Sequence, residues 1–156
     1  MKFTKTVLMV GAFLLSVNIY AQGGNTANAD GTATASVIAS LSLTNSTDLI
    51  FGEGIQGDSA KSLSPSADLE TAEFFISGEP NRSYTVTLPA DGTVIMTTGA
   101  GGTNETIAVD SFIHNSPESI PGSGIDGWRV GATRAALGAS QVPGSYSTTF
   151  TVSIVY

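Results

Sequence analysis

Read as a string of apolar and polar positions, the chain changes character at Ala33. Ala33, Ala35, Val37, Ala39, Leu41 and Leu43 alternate with Thr34, Ser36, Ile38, Ser40 and Ser42. A period of two puts successive side chains on opposite faces of an extended backbone, so the pattern predicts a strand with one buried face over 33–43. The preceding stretch, residues 22–32 (QGGNTANADGT), has no large apolar side chain and reads as a loosely held arm. Further strand patterns fall at 49–51, 72–77, 83–88, 93–98, 106–113 and 128–133, set apart by clusters of Gly, Pro, Asn and Asp. No stretch has a convincing helical period, although residues 134–137 suggest one turn.

The strongest signal comes last. In PGSYSTTFTVSIVY, residues 143–156, Tyr146, Thr148, Phe150, Val152, Ile154 and Tyr156 form one face and Ser147, Thr149, Thr151, Ser153 and Val155 the other. A slip of one residue would exchange the faces, so the pattern fixes the register. Pro89 and Pro143 fall at strand ends, where a missing N–H is harmless. Asp91-Gly92 lies between two apolar runs and predicts a hairpin turn. About eight short strands with no helix predict an all-β fold, an antiparallel β-sandwich, with a barrel as the lesser alternative.

The N-terminus changes this picture by assigning a compartment. Lys2 and Lys5 precede an apolar run from Val7 to Val17 and small residues around Ala21, the layout of a secretory signal peptide over 1–21 with cleavage between Ala21 and Gln22. A second cut after Ala27-Asn28-Ala29 is the alternative. The run is shorter than the roughly 18 to 20 residues that cross a bilayer, and no other stretch predicts a membrane span. The expected destination is the periplasm, the cell surface or the medium. Cleavage leaves 135 residues with 4 basic and 13 acidic side chains, a net charge of −9. One domain over 33–156 is expected at that length, and the charge argues against nucleic acid and anionic membrane partners. With no cysteine, no disulfide supports the fold.

Chemistry is sparse. His114 is the single histidine, and no G-x-S-x-G elbow accompanies it, so neither a catalytic triad nor a zinc or copper site is predicted. Glu53, Asp58 and Asp126 lie in Gly-rich stretches without the D-x-D-x-D-G spacing of a calcium loop. The glycine-rich run 99–104 lacks the helix and lysine of a phosphate loop and reads as a hairpin loop. Asn45-Ser46-Thr47, Asn81-Arg82-Ser83 and Asn104-Glu105-Thr106 match the short N-glycosylation pattern, and Asp58-Ser59-Ala60 an equally short O-glycosylation one. No cofactor, metal or catalytic residue is expected. Trp128, following Ile125-Asp126-Gly127, is the one ring near a turn. It reads first as core; with Asp126 it is also the candidate contact for a loop-bound ligand.

The ordered set Leu49-Ile50-Phe51-Gly52, AEFFISG (72–78), YTVTLP (84–89), Val130-Gly131-Ala132-Thr133, and Pro143-Gly144-Ser145-Tyr146 leading to Phe150-Thr151-Val152 and Tyr156 resembles the bacterial secreted domain-of-unknown-function family four-four-zero-two. That family is in turn similar to spore-coat-U-type subunits of archaic chaperone-usher pili. The resemblance implies an immunoglobulin-like sandwich in a structural or adhesive role. It further implies partners that are other subunits joined by β-strand addition, and a periplasmic chaperone. The strand-exchange or core-closing face would be Tyr146, Phe150, Val152, Ile154 and Tyr156. The arm departs from the pilin pattern, because residues 22–32 carry only Ala27 and Ala29 as apolar knobs. Two readings follow: Ala33–Ala39 is a donor strand and Ser40–Phe51 the first strand, or the whole segment is the domain's own first strand in a complete sandwich, the reading preferred on sequence. An extracellular binding module for a glycan, small ligand or calcium is the alternative function.

Overall fold

In the computed structural model, which describes residues 27–156, the alternation of AEFFIS is realised as a strand, Ala72–Ser77, with Ala72, Phe74 and Ile76 buried. The expected signal peptide over 1–21 and its expected cleavage between Ala21 and Gln22 lie outside the described residues. Numbered along the chain, the strands are β1 (Ser42–Thr47), β2 (Lys61–Ser62), β3 (Ala72–Ser77), β4 (Thr85–Thr87), β5 (Val94–Thr97), β6 (Thr106–His114), β7 (Ile125–Arg134) and β8 (Ser153–Val155). All pairings are antiparallel. The large sheet runs β1-β3-β7-β6-β5, with β2 paired to the far part of β7, and the small sheet is β4-β8. The described residues contain no helix. The all-β antiparallel sandwich is therefore the fold, and all eight strands belong to the unit Val37–Tyr156.

The inward positions of β7 are Trp128, Val130, Ala132 and Arg134, each buried. They build two adjoining apolar clusters. One gathers Ala72, Phe74, Ile76, Tyr84, Ile120, Trp128 and Val130, against which Val86, Val152 and Ile154 of the small-sheet side pack. The other gathers Phe51, Leu63, Val94, Val109 and Ala132. Phe112 and Phe150 reach both. Phe74 stacks on Trp128 with centroids 5.4 Å apart and meets Phe150 edge-on at 6.4 Å, geometries that add to burial of about 1.5–3 kcal/mol per fully enclosed side chain.

Phe112 faces inward because β6 carries a bulge between Asp110 and Ile113. Ser111 takes φ +54 there. Without the extra residue, Ile107 and Val109 would put Ser111 and Ile113 inward; with it, Phe112 and His114 are the half-buried pair and Ile113 is exposed. The bulge is tied to the 91–92 turn: Asp91 accepts from the Ser111 N–H at 2.7 Å and Asp110 from the Gly92 N–H at 2.6 Å.

Several expectations are corrected. Residues 33–40 form no strand and every one is exposed; the first strand begins at Ser42. Alanine knobs offer little area to bury, so the period of two alone does not hold that segment on the sheet. Residues 49–51 lie outside any strand. Asp91-Gly92 does turn, but it joins β4 of the small sheet to β5 of the large one and makes no hairpin. Residues 134–137 end β7 without a helical turn, and the two-residue strand β2 had no sequence signal. Across the 143–156 stretch the inward alternation of Tyr146, Phe150, Val152 and Ile154 holds, yet only Ser153–Val155 is paired as a strand.

Candidate functional site

Beside the second cluster, whose members are themselves buried, the surface forms a groove of about 1470 Å³. Its floor is the inward face of β5 and β6, Val94, Met96, Ile107 and Val109, with Phe51, Phe74 and Phe150. One rim is the irregular stretch 48–56 after β1, and the other is 141–150, leading into the terminal strand. Both rims carry exposed apolar side chains, Ile50 and Ile55 on the first and Val142 on the second, with Ile55 75% exposed. Apolar side chains gathered around one concave site mark a surface built to be covered.

The rims are held by side chains and by isolated backbone bonds rather than by strand ladders. Lys61 Nζ donates to the Phe51 carbonyl at 2.7 Å, and Asp58 accepts from the Ile55 N–H at 2.8 Å. Gly52 turns the first rim at φ +70. On the second, Gln141 Nε2 donates to Tyr146 Oη at 2.9 Å and to the Asn104 carbonyl at 2.8 Å, while Ser147 exchanges both backbone bonds with Thr97 at 3.1 Å. From Thr148 to Val152, no backbone hydrogen bond joins the segment to another among the described residues. Backbone N–H and C=O groups need partners. This stretch has inward Phe150 and Val152 and a backbone without partners on either side among the described residues.

Arg134 closes one end of the groove. It is 7% exposed and donates from Nη1 to the Ala135 carbonyl at 3.1 Å and from Nη2 to the Ser59 carbonyl at 3.3 Å. Neither Arg134 nor Lys61 was singled out by sequence. What could have found Arg134 is its parity with Trp128, Val130 and Ala132, which puts a cation on an inward face.

At the other end of the body the chain is pinned. Tyr156 Oη accepts from the Glu79 N–H at 2.6 Å and donates to the Ala39 carbonyl at 3.2 Å; Glu79 Oε2 accepts from the Ala39 N–H at 2.8 Å. Arg82 lies over the Tyr156 ring, 4.8 Å from its centroid. The hydroxyl occupies the space a side chain at Gly78 would fill. Tyr156 thus holds the incoming chain, and Phe150 and Val152 line the core. The predicted face Tyr146, Phe150, Val152, Ile154 and Tyr156 is one segment whose members serve different ends of the sandwich.

Trp128 lies within β7, not at a turn. It is 2% exposed, between Phe74 and the His114 ring, whose centroid is 5.8 Å away. Its Nε1 is buried without a hydrogen-bond partner among the described residues. Asp126 is half-buried on the same strand and accepts from the Gly127 N–H at 2.9 Å. His114 Nδ1 accepts from the Ser116 N–H at 3.2 Å, and Ser116 Oγ shares a hydrogen bond of 2.7 Å with Tyr84 Oη. Burial raises the Tyr84 hydroxyl above its usual value of 10.0, the Ser116 hydrogen bond lowers it, and Asp126 and Glu118 add to the rise. Among the described residues no three His, Cys, Asp or Glu side chains group to hold a metal ion, and no helix is long and apolar enough to cross a membrane.

No curated protein and no solved structure matched the chain. One family profile does, over residues 24–156, and its span takes in every strand, both rims of the groove and the segment pinned by Tyr156. The chain belongs to the family described as Domain of unknown function (DUF4402).

Proposed function

We propose that this chain is an exported, non-enzymatic structural or adhesive protein, pilin-like in that it assembles by accepting a β-strand into its groove. The observation that carries the proposal is the pairing of two unfinished parts in one sequence. The groove has an apolar floor and an unpaired strand edge at Thr148–Val152. The segment Ala33–Ala39 has strand alternation and exposed side chains, Val37 at 96%. An extended peptide added to such an edge supplies the missing backbone hydrogen bonds, and its alternate side chains enter the apolar floor. Of the two sequence readings, the placement of β1 at Ser42 favours Ala33–Ala39 as donor. A signal peptide and the absence of cysteine suit an exported chain that is held by its core, at the cell surface or in the periplasm, where a chaperone would guard an unfilled groove. A loop-binding module draws less support, because Trp128 offers no surface to a ligand.

Sedimentation velocity and negative-stain electron microscopy of the exported chain test this. Ladders or filaments are expected, lost on deletion of residues 22–38. A clean monomer with and without those residues, at concentrations up to about 1 mM, refutes it; that limit corresponds to roughly 4 kcal/mol of association.

A further inference from the structure

The contacts on Ala39 bear on a problem that any chain carrying both a groove and a matching segment must solve: its own segment is the nearest occupant. We infer that Tyr156 and Glu79 form a clasp on Ala39 that keeps the chain's own Val37 out of its own groove and reserves that groove for a second copy. The inference rests on the strand-addition reading above.

The argument is one of reach. Both backbone groups of Ala39 are engaged, the N–H by Glu79 Oε2 and the carbonyl by Tyr156 Oη, which itself is fixed by the Glu79 N–H. Glu79 lies five residues past Phe74, the one β3 residue that lines the groove, and Phe74 is opposite Asn45, the one β1 residue that does. Five residues at strand spacing is about 16 Å. Two residues separate Val37 from Ala39, and a fully extended chain covers at most about 7 Å in two residues. With the clasp closed, Val37 is held within about 7 Å of Ala39, at the end of β3 that lies away from Phe74. It is also the largest side chain on its face of the segment; Ala33, Ala35 and Ala39 on that face bury far less. Opening the clasp moves the anchor to Leu41 and Leu43, which pack on the first cluster. That doubles the tether to Val37 to four residues, about 14 Å. The Gly78 position without a Cβ leaves room for the Tyr156 hydroxyl, and Arg82 over the ring holds the ring in place.

The chain has no cysteine, so a two-cysteine variant reads this directly. Val37→Cys and Thr148→Cys place one thiol on the segment and one on the groove rim. Oxidised full-length protein, run without reductant, is expected to give linked dimers and higher species in the clasped background. Adding Tyr156→Phe and Glu79→Ala is expected to raise the internally linked monomer about thirtyfold, the population change that follows from losing two hydrogen bonds of ordinary net strength. Glu79→Ala alone, at an exposed side chain, removes the acceptor and should move the ratio about fivefold in the same direction without loss of the melting transition. An internally linked monomer that dominates with the clasp intact, or a ratio indifferent to both substitutions, overturns the inference and leaves strand addition standing. Absence of any link in either background, with both thiols reactive, overturns strand addition and the inference with it.

Discussion

Phe150→Ala is the substitution that most directly weighs the terminal segment. Phe150 meets Phe74 edge-on at 6.4 Å and Phe112 at 5.2 Å, and it packs against both apolar clusters. Truncating a fully buried phenylalanine costs about 3–5 kcal/mol. Phe150 is half-buried, since its groove side is uncovered, so roughly half of that applies. The aromatic contacts add about 0.5–1.5 kcal/mol, giving an expected loss of roughly 2–4 kcal/mol. For a unit of this size the melting temperature should fall by about 6–16 °C. Chemical denaturation followed by Trp128 fluorescence suits the measurement, because Trp128 is the single tryptophan and stacks on Phe74 in the affected cluster. The denaturant slope should stay unchanged, as the same surface is exposed on unfolding. Thr151→Ala, an exposed neighbour, is the control and should stay within about 0.5 kcal/mol. A loss at Phe150 below about 1 kcal/mol would mean that an unpaired Thr148–Val152 stretch is not packed, and the reasoning about the groove's second rim would fail.

Two further outcomes are expected. Tyr84 is held neutral by burial, so the unfolded chain loses that proton first as pH rises; the contribution is intact below the ordinary tyrosine value of 10.0 and is lost above it. Denaturation midpoints taken from pH 8 to 11 should fall above about 10 and fall less steeply in Tyr84→Phe; parallel curves would refute the assignment. Gly131→Ala should cost about 1–3 kcal/mol or more by melting, because the added methyl meets the Leu63 backbone carbonyl, whereas Gly31→Ala meets nothing and should be silent.

What was legible beforehand was whatever local pattern fixes without reference to a partner. The strands at 72–77 and 128–133, bounded by turn residues, and the alternation of Phe150, Val152 and Ile154 are legible in the sequence, and each stands. The hairpin across 99–104 was legible too, since β5 and β6 pair across it. Residues 33–40 carry the same period as β3 and form no strand, because pairing depends on which edge is available and how much area the knobs bury. Asp91-Gly92 has hairpin chemistry and yet crosses between sheets, since a turn sets direction but not the strand that follows it. The bulge at Ser111 that sends Phe112 inward left no mark in a sequence of alternating residues.

By itself the sequence determined an all-β sandwich, an acidic chain without cysteine, and the two faces of its terminal segment. These rest on composition and period, which act residue by residue. Only the tertiary structure decided that a groove lies beside the second cluster, that Arg134 lines it and that Tyr156 binds Ala39 at a separation of 117 residues. Each of those depends on which surfaces long-range packing leaves unmatched, a property of the assembled sheets and of no single stretch of chain.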